Sequence, residues 1–190
     1  MGLSMINIEN ELTVLDINKS EFINKLERLG ATKVTDELLQ QRYVYDFSPK
    51  KANKWIRLRT NGEKTTLTIK EIQDNSKMNA KEIEISVSDF ETTNLLLEEL
   101  GYSHRNYQEN LRQVFVLNGV EISIDSWPHI PPYVELECKD LESINEVLQK
   151  LEVDKKNITM LDVTSSYKDI YGIDILSISE LKFNTPLKTK

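Results

Sequence analysis

LRQVFVLNGVEISIDSWPHIPPYVELEC, residues 111–138, alternates apolar and polar side chains in three successive runs, and its reading decides the fold. Residues 111–117, 120–125 and 133–138 each repeat with period two, the spacing of a β-strand whose two faces differ. Asn118-Gly119 separates the first two runs and is a hairpin signal, so those strands pair antiparallel. On the second strand Asp125 is opposed by Ile122 and Ile124; on the third, Glu135 and Glu137 are opposed by Val134, Leu136 and Cys138. One face is apolar and the other carries charge.

Working outward, the same period marks strands at 6–14, 41–47, 55–60, 65–71 and 81–87, eight in all, with Asn61-Gly62 as a second hairpin turn. Helical spacing takes over at 20–29, opened by Ser20, and at 89–100, where Ser88 and Glu91 make a capping box. It returns at 141–151 and at about 155–171. A weak repeat couples a Glu-x-Glu strand to a Leu-rich helix three times, as ENEL…LERLG, EIEI…LEELG and ELEC…LQKLE. Helices that follow strands, with hairpins between strands, predict an α+β fold rather than a doubly wound one.

The 190 residues predict one domain, with a core over about 6–172 and an extension over 173–190. A net charge of −7, from 31 acids and 24 bases, argues against nucleic acid as a partner. A single cysteine, Cys138, excludes an intrachain disulfide and suits a reducing cytoplasm, and no apolar run is long enough for a membrane span. Cys138 reads as a packed small hydrophobe, and His104 and His129 lack partners at zinc spacing. The six glycines form no phosphate loop, so any phosphate must be held by side chains.

The charged faces are sorted by sign. Glu9 with Glu11, Glu82 with Glu84, and Glu135 with Glu137 are i, i+2 acidic pairs, whereas Arg57 and Arg59 are a basic pair. Like charges so close repel unless something neutralises them. Carboxylate pairs suit hard cations and guanidinium pairs suit phosphate, so the two sets read as the poles of one site. A sheet closed around that site would line a tunnel with charge, and its apolar outside, Ile83 and Leu136 included, would be covered by the helices. Trp55 shares the face of Arg57 and Arg59; Trp127, in a proline-bounded turn, reads as a packing residue.

At these residues the chain resembles the CYTH family, the group of class IV adenylyl cyclases, thiamine triphosphatases and inorganic triphosphatases. Glu9-x-Glu11 is similar to the family's opening motif, Arg57-Leu58-Arg59 to its arginine strand, and Thr68-Ile69-Lys70 to its lysine strand. Glu82-Ile83-Glu84 and the Asp125, Glu135 and Glu137 strands complete the order. The resemblance implies a closed eight-stranded antiparallel barrel with amphipathic helices outside. It implies a cytoplasmic, metal-dependent phosphohydrolase acting on ATP, thiamine triphosphate or tripolyphosphate, with adenylyl cyclase or a non-catalytic binding module as alternatives.

It further implies that Glu9, Glu11, Asp125, Glu135 and Glu137 hold Mg²⁺ or Mn²⁺. Arg57, Arg59, Lys70 and Arg112 would bind phosphate, with Glu9, Glu11, Lys70 and Arg112 as the catalytic set and Glu82 and Glu84 as further lining. Two cations that the resemblance calls for are absent: Thr13 stands for one lysine and Asn110, two residues before Arg112, for another. The lining then has seven acids against four bases, a formal −3, with Arg42 and Lys54 as candidates to compensate.

Overall fold

A computed structural model of the chain describes residues 10–72 and 80–189. In chain order the elements are β1 (Asn10–Val14), α1 (Lys19–Arg28), β2 (Thr32–Lys33), β3 (Leu38–Asp46), β4 (Lys54–Thr60), β5 (Thr65–Ile72) and β6 (Ala80–Val87). They continue with α2 (Phe90–Glu99), β7 (His104–Leu117), β8 (Val120–Ser126), β9 (Tyr133–Cys138), α3 (Leu141–Lys150), β10 (Ile158–Thr159), α4 (Val163–Asp169), β11 (Ile178–Leu181) and β12 (Lys188–Thr189).

A strand lies at each of the eight expected places, the one expected at 6–14 being described from Asn10 onward, and they are adjacent in the order β1-β9-β8-β7-β3-β4-β5-β6, every pair antiparallel. The sheet nevertheless corrects the expectation of a closed eight-stranded barrel. Among the described residues it has 12 strands and is open: β10 takes the outer edge of β1 at Thr13 and Val14, and no strand pairs with the outer edge of β6. The sheet is curled all the same, so that charges on β1 act on charges of β5 and β6 across its hollow side.

Local chemistry explains where elements start and stop. Asn18, not Ser20, caps α1, its side chain accepting from the Glu21 amide at 3.2 Å. Asp89, not Ser88, caps α2, accepting from the Thr92 amide at 2.7 Å. The expected helix over 155–171 is broken, because residues 158–159 are drawn into the sheet beside β1 and Asp162 restarts the helix at Val163. Asn118 and Gly119 both adopt positive φ (53° and 80°), as a two-residue hairpin turn requires. The Asn61-Gly62 turn is longer, since Thr60 pairs with Thr65 and the Asn61 side chain accepts from the amides of Glu63 and Lys64.

Three apolar clusters back the sheet. The outer faces of β1, β7, β8 and β9 pack on α1 and α3, with Leu26, Ile122, Leu136 and Ile144 fully buried. The outer faces of β3, β4 and β5 pack on α2 through Tyr45, Leu58 and Leu97. A third cluster gathers Leu15, Trp127, Tyr133 and Tyr167 with Ile175, Ile178 and Leu181, so the segment after 173 is packed, and β11 runs parallel to β7. The helices cover β6 only at its end, where Val87 joins the α2 cluster: Ile83 and Ile85, expected beneath a helix, are 40% and 55% exposed, whereas Leu136 is covered as expected. No helix among the described residues is long and apolar enough to cross a membrane.

Candidate active site

The hollow face of the sheet encloses a cavity of about 1130 Å³, and strand alternation aims the charged residues into it. Glu11, Arg57, Arg59, Lys70, Glu82, Glu84, Arg112, Glu135 and Glu137 line it, with Thr13. Asp125 and Asn110 lie just behind this lining, fully buried and joined to it through Arg112 and Arg42. Glu9 lies outside the described residues.

Carboxylates line the β1–β9 side, whereas the cations lie on β3, β4 and β5 with Glu82 and Glu84 of β6 beside them. On β1 and β9, Glu11 stands opposite Glu137 and Thr13 opposite Glu135. Glu135, with burial and Glu82, pushes the Glu11 carboxyl up from 4.5 to about 7, although Lys70 and Arg112 pull the other way. Hard oxygen donors held this close fit a Mg²⁺ or Mn²⁺ ion, whose charge would relieve the repulsion. Among the described residues no three of them already converge on one point as a finished coordination shell.

Facing this wall, β3, β4 and β5 carry Arg42, Arg57, Arg59 and Lys70. Lys70 pairs with Glu82 at 2.8 Å, and Arg57 lies 3.6 Å from Glu82 and 3.9 Å from Glu84. Burial works to raise Glu82, but Lys70 and Arg57 outweigh it and hold it below the ordinary carboxylate value. Arg59 makes no ion pair among the described residues; Arg57, burial and Arg42 push it down to about 9, which leaves it cationic at neutral pH. Lys54 is matched by Glu71 at 2.9 Å.

Arg112, on β7 between the walls, grips Asp125 through Nε at 3.0 Å and Nη2 at 2.6 Å, and reaches Glu135 at 2.5 Å. Asn110 also donates to Asp125, at 2.5 Å. Asp125 is thus held in an internal fork rather than presented to the cavity.

Two lining features were not evident from single-strand patterns. Trp127 forms part of the third apolar cluster and also borders the cavity, with the Arg42 guanidinium 4.6 Å from its ring centre. Lys50, Lys51 and Arg105 also border the cavity, with Asp46 pairing Lys50 and Arg105. Only the cross-strand register brings these together, and alternation within one strand contains no such information. Trp55 lines the cavity with Arg57 and Arg59, as its parity required, and Cys138 is a partly buried neighbour of the first apolar cluster.

A curled antiparallel sheet around a cavity lined with carboxylates and guanidinium groups is the frame for comparison with known proteins. Residues 7–169 match the CYTH domain, and the chain belongs to that family. A Methanocaldococcus jannaschii protein named "Putative adenylate cyclase MJ0240" is 24% identical, the match covering 87% of this chain and 99% of that protein. A conserved hypothetical protein from Pyrococcus furiosus superposes with a TM-score of 0.71 at 23% identity, over 82% of this chain and 97% of its own. A Hippeastrum protein named as a "Putative adenylyl cyclase" and described as having a dominant triphosphatase activity superposes at 0.57 with 13% identity, over 86% and 95% of the two chains. These likenesses are to the fold.

Proposed function

We propose that the chain is a divalent-metal-dependent phosphohydrolase acting on an organic or inorganic triphosphate. The observation that carries this reading is the placement of a carboxylate wall, Glu11, Glu135 and Glu137, across one cavity from Arg57, Arg59 and Lys70. A triphosphate needs both: cations for its oxygens and a divalent ion to neutralise what the arginines leave. Membership of a family that includes adenylyl cyclase and triphosphatase names supports the same substrate class.

Glu11, Glu135 and Glu137, with Glu9, are the residues that would hold Mg²⁺ or Mn²⁺. When bound, such an ion supplies charge neutralisation and a more acidic water. The chain's own contribution is positional. Arg57 and Arg59 fork onto phosphate oxygens, Lys70 adds a point charge beside Arg57, and Arg112 holds Glu135 in place through an ion pair. In hydrolysis water adds to the terminal phosphorus, the bond to the bridging oxygen breaks, and the diphosphate leaves. The name of the M. jannaschii relative favours a second reading, in which the ribose 3′-hydroxyl adds to the α-phosphorus and pyrophosphate leaves.

Incubation with Mn²⁺ and ATP, thiamine triphosphate or tripolyphosphate separates the readings by product. Orthophosphate supports the hydrolase, pyrophosphate with cyclic AMP the cyclase, and binding without product a non-catalytic receptor. In the same assays Arg59→Ala should weaken triphosphate binding by about 1.5–3 kcal/mol, the worth of a charge-assisted hydrogen bond. Arg57→Ala should lose less, because Glu82 and Glu84 already occupy part of its charge. Unchanged calorimetric affinity in both variants would remove the arginine pair from the binding site.

A further inference from the structure

Arg42 belongs to none of the motifs that identify the cavity, yet it is the most unusual cation in it. β3 places it directly opposite Arg59 on β4, on the cavity face. Like charges opposed across strands destabilise a sheet unless a counter-charge lies between them. Arg42 is only 7% exposed, and among the described residues it makes no ion pair. Its Nη2 donates to two neutral amides, the Asn110 Oδ1 and, at 3.2 Å, the Gln40 Oε1.

One N–H of the guanidinium, that at Nε, is buried and unsatisfied, and so is the Nε1–H of Trp127, over whose ring the guanidinium lies. Stacking on the indole offsets part of the desolvation of a buried cation but supplies no acceptor. Burial, with Arg57 and Arg112 nearby, holds the Arg42 pKa down to about 9, so the charge is retained at neutral pH at a cost that the free protein bears. A buried cation, pointed at another cation and held by neutral partners, has the arrangement of an anion receptor without its anion.

We propose that Arg42 is a phosphate-binding residue of this cavity, directing its charge and its unpaired N–H edge to an oxygen of the bound polyphosphate between itself and Arg59. This rests on the triphosphate reading above. It also accounts for Asn110, whose amide bridges Arg42 and Asp125 and so fixes where the Arg42 head stands. The positive charge on this side of the cavity is thus delivered from β3 rather than from position 110. The competing role for Arg42 is purely structural, a prop for Trp127 and the third apolar cluster.

Calorimetric titration with inorganic tripolyphosphate in Mg²⁺ buffer, on the full chain, decides between them. Arg42→Gln keeps an amide against Asn110 but removes the charge, and should weaken binding about tenfold to a hundredfold. Arg42→Lys keeps the charge and should lose no more than about threefold. Without ligand, Arg42→Gln should melt no lower than wild type, since it relieves the opposition to Arg59. Wild-type affinity in both variants, or equal losses in both, overturns the proposal, as does unchanged Arg42→Gln affinity with a lowered melting temperature. If wild type itself binds no tripolyphosphate, the triphosphate reading fails first; if wild type binds and Arg42→Gln binds equally, only the role of Arg42 falls.

Discussion

Arg112→Ala should destabilise the fold by about 3–5 kcal/mol, the cost of removing one partner from a buried ion pair. Asp125 is 0% exposed, and its two oxygens depend on the Arg112 fork and the Asn110 amide. Without Arg112, only Asn110 would remain against a carboxylate that no water reaches, and Glu135 would lose its 2.5 Å partner as well. The same geometry predicts a rescue. Arg112→Ala/Asp125→Ala leaves no buried charge at that place and should regain part of the loss, so the two substitutions should be strongly non-additive. Lysine is a poor substitute, because Arg112 serves two carboxylates at once with a planar fork. Urea denaturation of the single and double variants at pH 7 checks the coupling. Additive losses would mean that the Arg112–Asp125 contact contributes little.

Most of the sheet was legible because its faces differ so sharply. Glu82-x-Glu84 against Ile83 and Ile85, or Arg57-x-Arg59 against Ile56 and Leu58, marks both strand and face, and most strands were placed within a few residues, although β7 begins at His104, seven residues before the expected start. The openness of the sheet was not legible. It follows from Ile158–Thr159 joining β1, and two residues carry no period that distinguishes them from the helix expected there. The exposed Ile83 and Ile85 follow from where α2 lands, on β3, β4 and β5, which is a tertiary choice.

In the site, alternation assigned the lining but not the partners. Nothing in the spacing of Arg112 and Asp125 says that they close a fork, or that Arg42 faces Arg59; register does. Arg42 was legible only as a nearby cation, and its lack of an ion pair among the described residues is a fact of three dimensions.

Glu11→Gln should have opposite effects on the metal-free and metal-loaded protein. Glu135, the largest influence, and burial raise the Glu11 carboxyl from 4.5 to about 7. An acid whose folded pKa is raised holds its proton more tightly in the fold. Its stabilising contribution is therefore fully present below about pH 4.5 and is lost as pH climbs through about 7. At pH 8 the metal-free wild type has an ionised Glu11 facing Glu135, and the neutral glutamine escapes that repulsion. The variant should then be more stable than wild type by about 1–3 kcal/mol at pH 8, since each tenfold gain in proton affinity on folding corresponds to about 1.4 kcal/mol. At pH 5 the two should nearly coincide, because wild-type Glu11 is protonated. Adding Mn²⁺ at pH 8 should reverse the order: wild type gains a counter-charge between Glu11 and Glu135, while the glutamine variant offers one oxygen donor fewer and no charge. Thermal melts at pH 5 and pH 8, with and without Mn²⁺, test this directly. An equal difference between variant and wild type at both pH values would show that Glu11 does not titrate against Glu135, and an equal Mn²⁺ stabilisation of both proteins would remove Glu11 from the metal-holding wall.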